Sequence, residues 1–394
     1  MSSFFVIYKS EIKKIISKKA VWLAMTIGLI LVLLMGFTNL SSEGHISYVS
    51  SSREILSQMD GKDIDEAFFL NFRNEVFEEL KLNPAKYEKL MDYDPGAAFM
   101  NGAGAVGKKS VFDFIYNVVR ERSMVETVTA EEFYEKMRDN IISDGQELGS
   151  NDEEINEWLK EYDSIEKPIK YYYAQSYANI LDVWFFVGWV LFFNIAIALA
   201  GVFADEKTFR TDAILLSTKR GRIALCVSKV LAGITVALIQ ALILVGGLFT
   251  VMFVFFGKGG AQGMIQNMIP SSPWNITIGR MTGLYVLLAI VTTIMFALTN
   301  MLVSYLTHSA VATMAGHAAV LFVGLFNVPS KLGILAKLWQ LRPTMALHYG
   351  TFCNTYRYGK MNNVEAALLI YGMCIAISVV ILILSYRKSQ IESR

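Results

Sequence analysis

The sequence predicts an all-α protein that crosses a membrane several times, and three observations support that prediction. Of the 394 residues, 54% are hydrophobic and only 18% are charged. Runs of about 20 apolar residues recur, and each can cross a hydrocarbon core of roughly 30 Å. Charge is divided unevenly, since residues 41–180 hold 28 acidic and 15 basic side chains while the rest of the chain holds 7 and 21. We therefore expect an acidic soluble domain and a basic membrane body.

The N-terminal segment 4–19 reads FFVIYKSEIKKIISKK. Phe4, Tyr8 and Ile12 share one face of a helix and lysines occupy much of the remainder, which is typical of an interfacial helix on an anionic leaflet. A cytoplasmic extension of the first span is the alternative. A cleaved signal peptide is disfavoured, because the apolar run that follows is long and no A-x-A-like site comes after it.

Six apolar stretches have the length and composition of transmembrane helices. They are 20–37, 179–203, 223–256, 279–307, 310–328 and 364–386. The third is long enough to tilt or to extend beyond the bilayer. Residues 1–40 then form the interfacial helix and the first span, and residues 177–394 hold the other five spans.

Lysine and arginine residues near the span ends predict the orientation. They cluster before the first span, after the sixth, and between the second and third, which places both termini and segment 204–222 in the cytoplasm. The domain 41–176 is then extracellular. Segment 329–362 opposes the rule, because its basic residues would lie outside: Lys331, Lys337, Arg342, Arg357 and Lys360. Its apolar but interrupted sequence predicts one or two re-entrant or surface helices, broken near Pro343.

The domain 41–176 is expected to be mainly helical. Stretches such as AEEFYEKMRDNII and NDEEINEWLKEYDSI place apolar residues three and four apart, after residues that suit helix N-caps. Its negative charge fits either cationic substrates or a solvated surface.

The stretch GAGAVGKKS at 102–110 resembles a phosphate-binding loop, but Lys109 stands where that loop needs Ser or Thr directly after its Gly-Lys pair. We therefore expect no ATPase activity in this chain.

Polar side chains deep inside the predicted spans are candidates for a translocation path, because a polar group at that depth faces protein or a watery cavity. They are Asn194, Gln240, Asn300 and His317, to which we add the aromatic side chains of Trp189 and Phe193. Hydrogen bonding between helices is the alternative role for the polar four. The 3 Cys and 4 His lack metal-ligand spacing, so we predict no metal site.

Residues 204–222, ADEKTFRTDAILLSTKRGR, form a polar interruption between the second and third spans. The charged residues keep this segment soluble, while Phe209, Ile214 and Leu215 form a short apolar stripe. A helix of this kind can dock into a groove on a soluble partner.

The whole chain resembles a permease subunit of the type-2 ABC exporter family. The resemblance covers an interfacial N-terminal helix, six spans, a cytoplasmic helix after the second span, and short helices before the sixth. A large domain between the first two spans is similar to that of some bacterial members. Locally it rests on Glu206, Thr211, the run LLST at 215–218, and the Gly221–Arg222 pair.

Two positions depart from the family's local pattern, which commonly has an acidic residue, a Gly-Thr pair, Leu-Leu-Ser/Thr, a Pro and then an Arg. Arg210 stands where Gly is usual, and Lys219 stands where Pro is usual.

The resemblance implies that segment 204–222 is a coupling helix that seats in a cleft of a separate ATPase subunit. The residues it assigns to that contact are Glu206, Phe209, Arg210, Thr211, Asp212, Ile214, Leu215, Leu216, Lys219 and Arg222. It further implies that ATP and Mg bind to the partner ATPase and no cofactor binds to this chain. A second permease chain and membrane lipids are the other partners, and no nucleic acid is expected. The substrate would be lipophilic or amphipathic, such as a peptide antibiotic or drug, exported across a bacterial cell membrane.

Two other functions remain open from the sequence. A membrane-anchored sensor or assembly protein would act through the acidic domain, although six spans exceed what anchoring requires. An intramembrane enzyme would need paired catalytic groups at one depth, and the sequence offers no convincing nucleophile–base pair.

Overall fold

The computed structural model describes residues 2–43, 46–208, 221–326, 328–352 and 356–388. Within these ranges the chain is helical apart from loops, including a long one at 257–277, and one small hairpin, which confirms the all-α prediction. The first two helices are α1 (Ser2–Ile16) and α2 (Lys19–Glu43). They correspond to the predicted interfacial helix and the first span.

The acidic domain consists of eight helices in its described part. They are α3 (Ile46–Ser57), α4 (Glu66–Leu82), α5 (Pro84–Tyr93), α6 (Pro95–Ala105), α7 (Lys109–Val119), α8 (Arg122–Val125), α9 (Ala130–Leu148) and α10 (Asp152–Asp163). Phenylalanine rings fill its core, for example Phe69 against Phe133 and Phe72 against Phe99. Reciprocal side-chain caps begin two of the helices, at Thr129 for α9 and at Asn151 for α10, because each cap satisfies backbone N–H groups that a helix start leaves unpaired. The phosphate-loop look-alike joins α6 to α7.

The membrane body follows the acidic domain. Its helices are α11 (Gln175–Leu199), α12 (Gly201–Thr208), α13 (Gly221–Phe256), α14 (Ile278–Thr307), α15 (Ala310–Val323), α16 (Ile334–Gln340), α17 (Pro343–Ala346) and α18 (Asn363–Lys388), with a hairpin of β1 (Arg357–Tyr358) and β2 (Met361–Asn362) before α18. Five helical stretches in the described residues are long and apolar enough to cross a membrane: Lys19–Leu40, Gln175–Glu206, Ile223–Phe256, Ile278–Thr307 and Asn363–Ser385.

The predicted fifth span, 310–328, is shorter in the structure. Helix α15 has 14 residues, which at 1.5 Å per residue is about 21 Å and less than a hydrocarbon core of about 30 Å. The chain turns after Val323 because side chains bind the carbonyls of the turn: Arg342 Nε donates to Gly324 at 2.9 Å and Trp339 Nε1 donates to Phe326 at 2.7 Å. The short helices α16 and α17 lie in segment 329–362, and their re-entrant placement stays a prediction.

The membrane body has two ends, which we call the domain face and the far face. At the domain face, α11, α14 and α18 begin and the acidic domain is attached. At the far face, α11 ends, α13 begins, and α1 packs against the first turns of α13. The described ends of the polar segment, residues 204–208 and 221–222, therefore lie at the opposite end of the membrane body from the acidic domain.

Candidate functional site

The second span breaks just before the polar segment. Helix α11 ends at Leu199 and α12 begins at Gly201. The hydroxyl of Ser304, on α14, donates to the carbonyl of Ala200 at 2.5 Å and accepts from the backbone N–H of Ala204 at 3.1 Å. A hydroxyl has one donor and two acceptor positions, so one buried side chain satisfies the backbone groups exposed by this break.

A buried ionic cluster lies at the entrance of the polar segment. Lys229 of α13 is 1% exposed. Its Nζ lies 2.6 Å from Oε1 of Glu206 and 2.8 Å from Oε2 of Glu11. It also donates to the carbonyl of Val202 at 3.5 Å. The ammonium thus donates hydrogen bonds to Glu11 and to the carbonyl of Val202, and it forms an ion pair with Glu206.

Glu11 is the acidic partner supplied by α1. Burial raises its pKa, but Lys229 and Lys14 together outweigh burial and hold the pKa of this carboxyl below its ordinary value. Lys14 Nζ lies 2.6 Å from Glu11 Oε1. A second pair, Lys18 Nζ to Asp205 Oδ2 at 2.8 Å, joins the start of α2 to α12. Two separate ion pairs therefore bind α12 at the far face, namely Lys229 with Glu206 and Lys18 with Asp205.

The predicted ATPase-contact residues fall mainly outside the described part of the chain. Phe209, Arg210, Thr211, Asp212, Ile214, Leu215, Leu216 and Lys219 all lie outside it. Arg222 belongs to the first turn of α13, but its side chain is outside the described structure. Glu206 is described and is bound by Lys229 within the chain. The assignment of these residues to an ATPase contact stays a prediction.

Sequence reasoning missed Lys229, although a signal was present. Lysine in an otherwise apolar span is costly and usually functional or paired, and Lys229 is the seventh residue of the predicted third span, 223–256. Its partners could not be named from the sequence, because Glu11 lies 218 positions away.

The polar candidates for a translocation path occupy different sides of the helices. Asn194 lies against α2, since a Cβ built on Gly28 would come within 2.8 Å of its Nδ2, which donates to the carbonyl of Val190. His317 lies on α15, where its Nδ1 donates to the carbonyl of Thr313 at 3.0 Å and its ring centre lies 5.0 Å from that of Phe296. Trp189 and Phe193 are half-buried, and Trp189 faces α15 through Phe322 at 6.3 Å.

Two of these polar side chains are buried without hydrogen bonds among the described residues. Gln240 on α13 is 4% exposed and Asn300 on α14 is fully buried, and neither the oxygen nor the nitrogen of either amide has a partner. A buried amide without partners costs stability. Their role in a path stays a prediction.

An apolar cavity opens between α13 and α14 in the membrane body. Its volume is about 370 Å³. Its walls are formed by Leu238, Ala241, Leu242, Val245, Gly246 and Phe249 of α13 and by Val286, Ala289 and Ile290 of α14. Such a surface suits hydrocarbon and offers no charged group to a ligand.

The acidic domain is bound to segment 329–362 by charge and by aromatic contact. Lys337 Nζ lies 2.5 Å from Glu154 Oε1. The guanidinium of Arg357 lies 4.0 Å from the centre of the Trp158 ring, and its nitrogens approach Glu157 at 3.5 Å and Glu161 at 3.8 Å. Two of the basic residues that opposed the predicted orientation are therefore paired with the acidic domain.

Comparison with known proteins agrees with this architecture. A family model described as ABC-2 family transporter protein matches residues 5–389. The chain belongs to the ABC-2 transporter family. The match includes both the acidic domain and the membrane body, and this ABC-2 protein is a multi-pass permease subunit of an ABC transporter. No curated protein and no solved structure matches the chain.

In the described part of this ABC-2 permease, the ion pairs of Lys229 and the buried amides of Gln240 and Asn300 are candidates for a functional role. The cluster fixes the entrance of a polar segment in space. The amides keep polar groups inside an apolar bundle.

Proposed function

We propose that this permease is the membrane subunit of an ATP-driven exporter and that segment 204–222 docks on a separate ATP-binding subunit. The observation that supports this most is the rigid attachment of α12. Ser304, Lys18 and Lys229 each bind residues between Ala200 and Glu206. A polar segment attached in this way can pass a displacement to the spans instead of bending freely.

In the proposed cycle, ATP closes a pair of ATP-binding subunits and the segments docked on them move with the closure. A rigid-body change of this kind has two discrete arrangements, and nucleotide binding biases the equilibrium between them. A second permease chain would complete the membrane pathway.

The far face is proposed to be cytoplasmic and the acidic domain extracellular. The basic residues near α1 and α12 support this orientation. Two of the five basic residues that oppose this orientation have a structural partner in the acidic domain, since Lys337 pairs with Glu154 and Arg357 with Glu157.

The proposed substrate is lipophilic or amphipathic and leaves a bacterial cell. The apolar cavity between α13 and α14 supports a hydrocarbon component. The buried amides of Gln240 and Asn300 offer polar contacts to a substrate that also carries polar groups.

The test is capture of an ATP-binding subunit by the purified permease. We expect the wild-type chain to retain one, and Leu215→Asp to lose it, because a charge in the apolar stripe of the segment opposes docking. Leu82→Asp is the matched control, since Leu82 is 78% exposed on the acidic domain. Absence of an ATP-binding subunit from the wild-type preparation, or equal capture by Leu215→Asp, would refute the proposal and favour a sensor acting through the acidic domain.

A further inference from the structure

The buried ammonium of Lys229 connects the polar segment to the N-terminal helix. Its partners are Glu206 on α12 and Glu11 on α1, at 2.6 and 2.8 Å. We infer that Lys229 is a positioning residue that transmits movement of segment 204–222 to α1 during the transport cycle. This inference rests on the proposed function, because it takes the segment as the docking site of an ATP-binding subunit.

The first requirement is that α12 moves as a unit with the segment. The backbone after the break at Ala200 is held by Ser304, and Asp205 is bound by Lys18 at 2.8 Å. Glu206 follows directly, at the point where the polar residues begin. A displacement of the segment therefore changes the position of the Glu206 carboxylate on α12 before it reaches α11.

The second requirement is that α1 can move when Lys229 is displaced. This helix lies along the beginning of α13, where the Tyr8 hydroxyl and the Thr235 hydroxyl are 2.7 Å apart. Ile15 is buried against the membrane body, whereas Phe5 and Val6 are 58% and 67% exposed. The contacts of α1 thus lie along one side, and its other side is free of the membrane body.

The third requirement is that Lys229 connects α12 to α1. Glu11 has a second cation, Lys14, at 2.6 Å, but Lys14 lies on α1 itself and moves with that helix. Lys229 lies on α13 and contacts both Glu206 of α12 and Glu11 of α1. A displacement of Glu206 can therefore reach α1 through this ammonium, and the Lys14 contact is not needed for it.

The experiment measures the distance between α1 and α14 in the complex of the permease with its ATP-binding subunit. Spin labels are placed at Val6→Cys and Leu306→Cys, which are exposed positions on the two helices, after replacement of the native Cys226, Cys353 and Cys374. We expect the distance distribution to shift between the nucleotide-free complex and the complex trapped with ATP and vanadate. Lys229→Gln should lose this shift while keeping the ATP-binding subunit.

Two control variants separate transmission from general damage. Lys229→Arg keeps the charge and should keep the shift. Lys14→Gln removes the other cation bound to Glu11, leaves the contact with Glu206 intact, and should also keep the shift. If Lys229→Gln does not fold, Glu11→Gln replaces it, because that variant keeps the Lys229–Glu206 pair and should still lose the shift.

The inference is overturned if Lys229→Gln or Glu11→Gln retains the shift with the ATP-binding subunit bound, or if the wild-type complex shows no shift. Failure of the proposed function has a different signature, namely that no ATP-binding subunit is recovered with the unlabelled wild-type chain.

Discussion

The Glu154 carboxylate of the acidic domain lies 2.5 Å from the ammonium of Lys337 in the segment before α18. The same oxygen accepts the backbone N–H of Arg357 at 3.1 Å, and the other oxygen caps α10 by accepting the N–H of Asn151 at 3.0 Å. One side chain therefore begins a helix of the acidic domain and binds that domain to the membrane body. The negative charge of Glu154 therefore helps to hold the acidic domain on the membrane body.

Glu154→Gln is expected to lower the stability of the permease. The change keeps the side-chain volume but weakens the charged bond to Lys337, and a hydrogen bond to a charged group contributes about 1.5–3 kcal/mol. The thermal unfolding midpoint of the purified protein in detergent measures the loss. Glu153→Gln is the control, because Glu153 is exposed on the same helix turn. Equal midpoints for the two variants would contradict the role of Glu154.

Lys229→Met is expected to destabilise the protein more than replacement of the whole cluster. Removing the ammonium leaves Glu11 and Glu206 buried without their shared cation, and breaking a buried pair in this way costs about 3–5 kcal/mol. The triple variant Lys229→Met, Glu11→Gln and Glu206→Gln removes the charges together and should recover much of that loss. Thermal unfolding of the two variants beside the wild type checks the order. A triple variant that is less stable than Lys229→Met would contradict this explanation, because neutralising the carboxylates of Glu11 and Glu206 should not lower stability further.

Gly260→Ala is expected to weaken the junction between the acidic domain and the membrane body. Gly260 has a φ of +89°, and a Cβ there would lie 2.5 Å from the carbonyl oxygen of Tyr173. Left-handed backbone strain alone costs about 1–3 kcal/mol for a residue with a side chain. Gly283→Ala is the control, since Gly283 lies in α14 with no atom within 4 Å of its Cβ position and alanine favours helix over glycine. Limited proteolysis of the loop after α13 should accelerate in Gly260→Ala and not in the control.

Asn300→Leu and Gln240→Leu are expected to stabilise the described conformation. Each replaces an amide that is buried without a partner by an apolar side chain of similar size, which removes a desolvation cost of about 1–3 kcal/mol. If these amides line the translocation path, the same variants should also reduce the rate of transport, measured with a substrate of the permease. Thermal unfolding measures the first effect. A lower midpoint in both variants would indicate that the amides have binding partners in the protein in solution.

The sequence predicted the local structure with good accuracy. Five of the six predicted spans correspond to helices whose ends agree within a few residues, as for 279–307 against Ile278–Thr307. Long apolar runs leave no other way to satisfy the backbone in a membrane. The shortened fifth span was not predicted, because its end depends on Arg342 and Trp339 binding the turn after Val323.

The candidate site was predictable only in part. The polarity of residues 204–222 and their position between two spans are visible in the sequence, as is the apolar stripe at Leu215. The attachment of Glu206 to Lys229 was not visible in the sequence, and the assignment of Glu206 to an ATPase contact stays a prediction. Electrostatic pairing depends on distance in space, and nothing in the spacing of residues along the chain records it.

By itself, the sequence determined that this protein is a helical membrane protein with an acidic domain after its first span, since periodicity and apolar length are local properties that set helices and spans. Tertiary structure decided which charges are paired. Glu11 meets Lys229, and Lys337 meets Glu154, only because the helices that carry them pack side by side. A buried charge is stable only when such a partner is within reach, and that condition is fulfilled by packing between segments far apart in the chain.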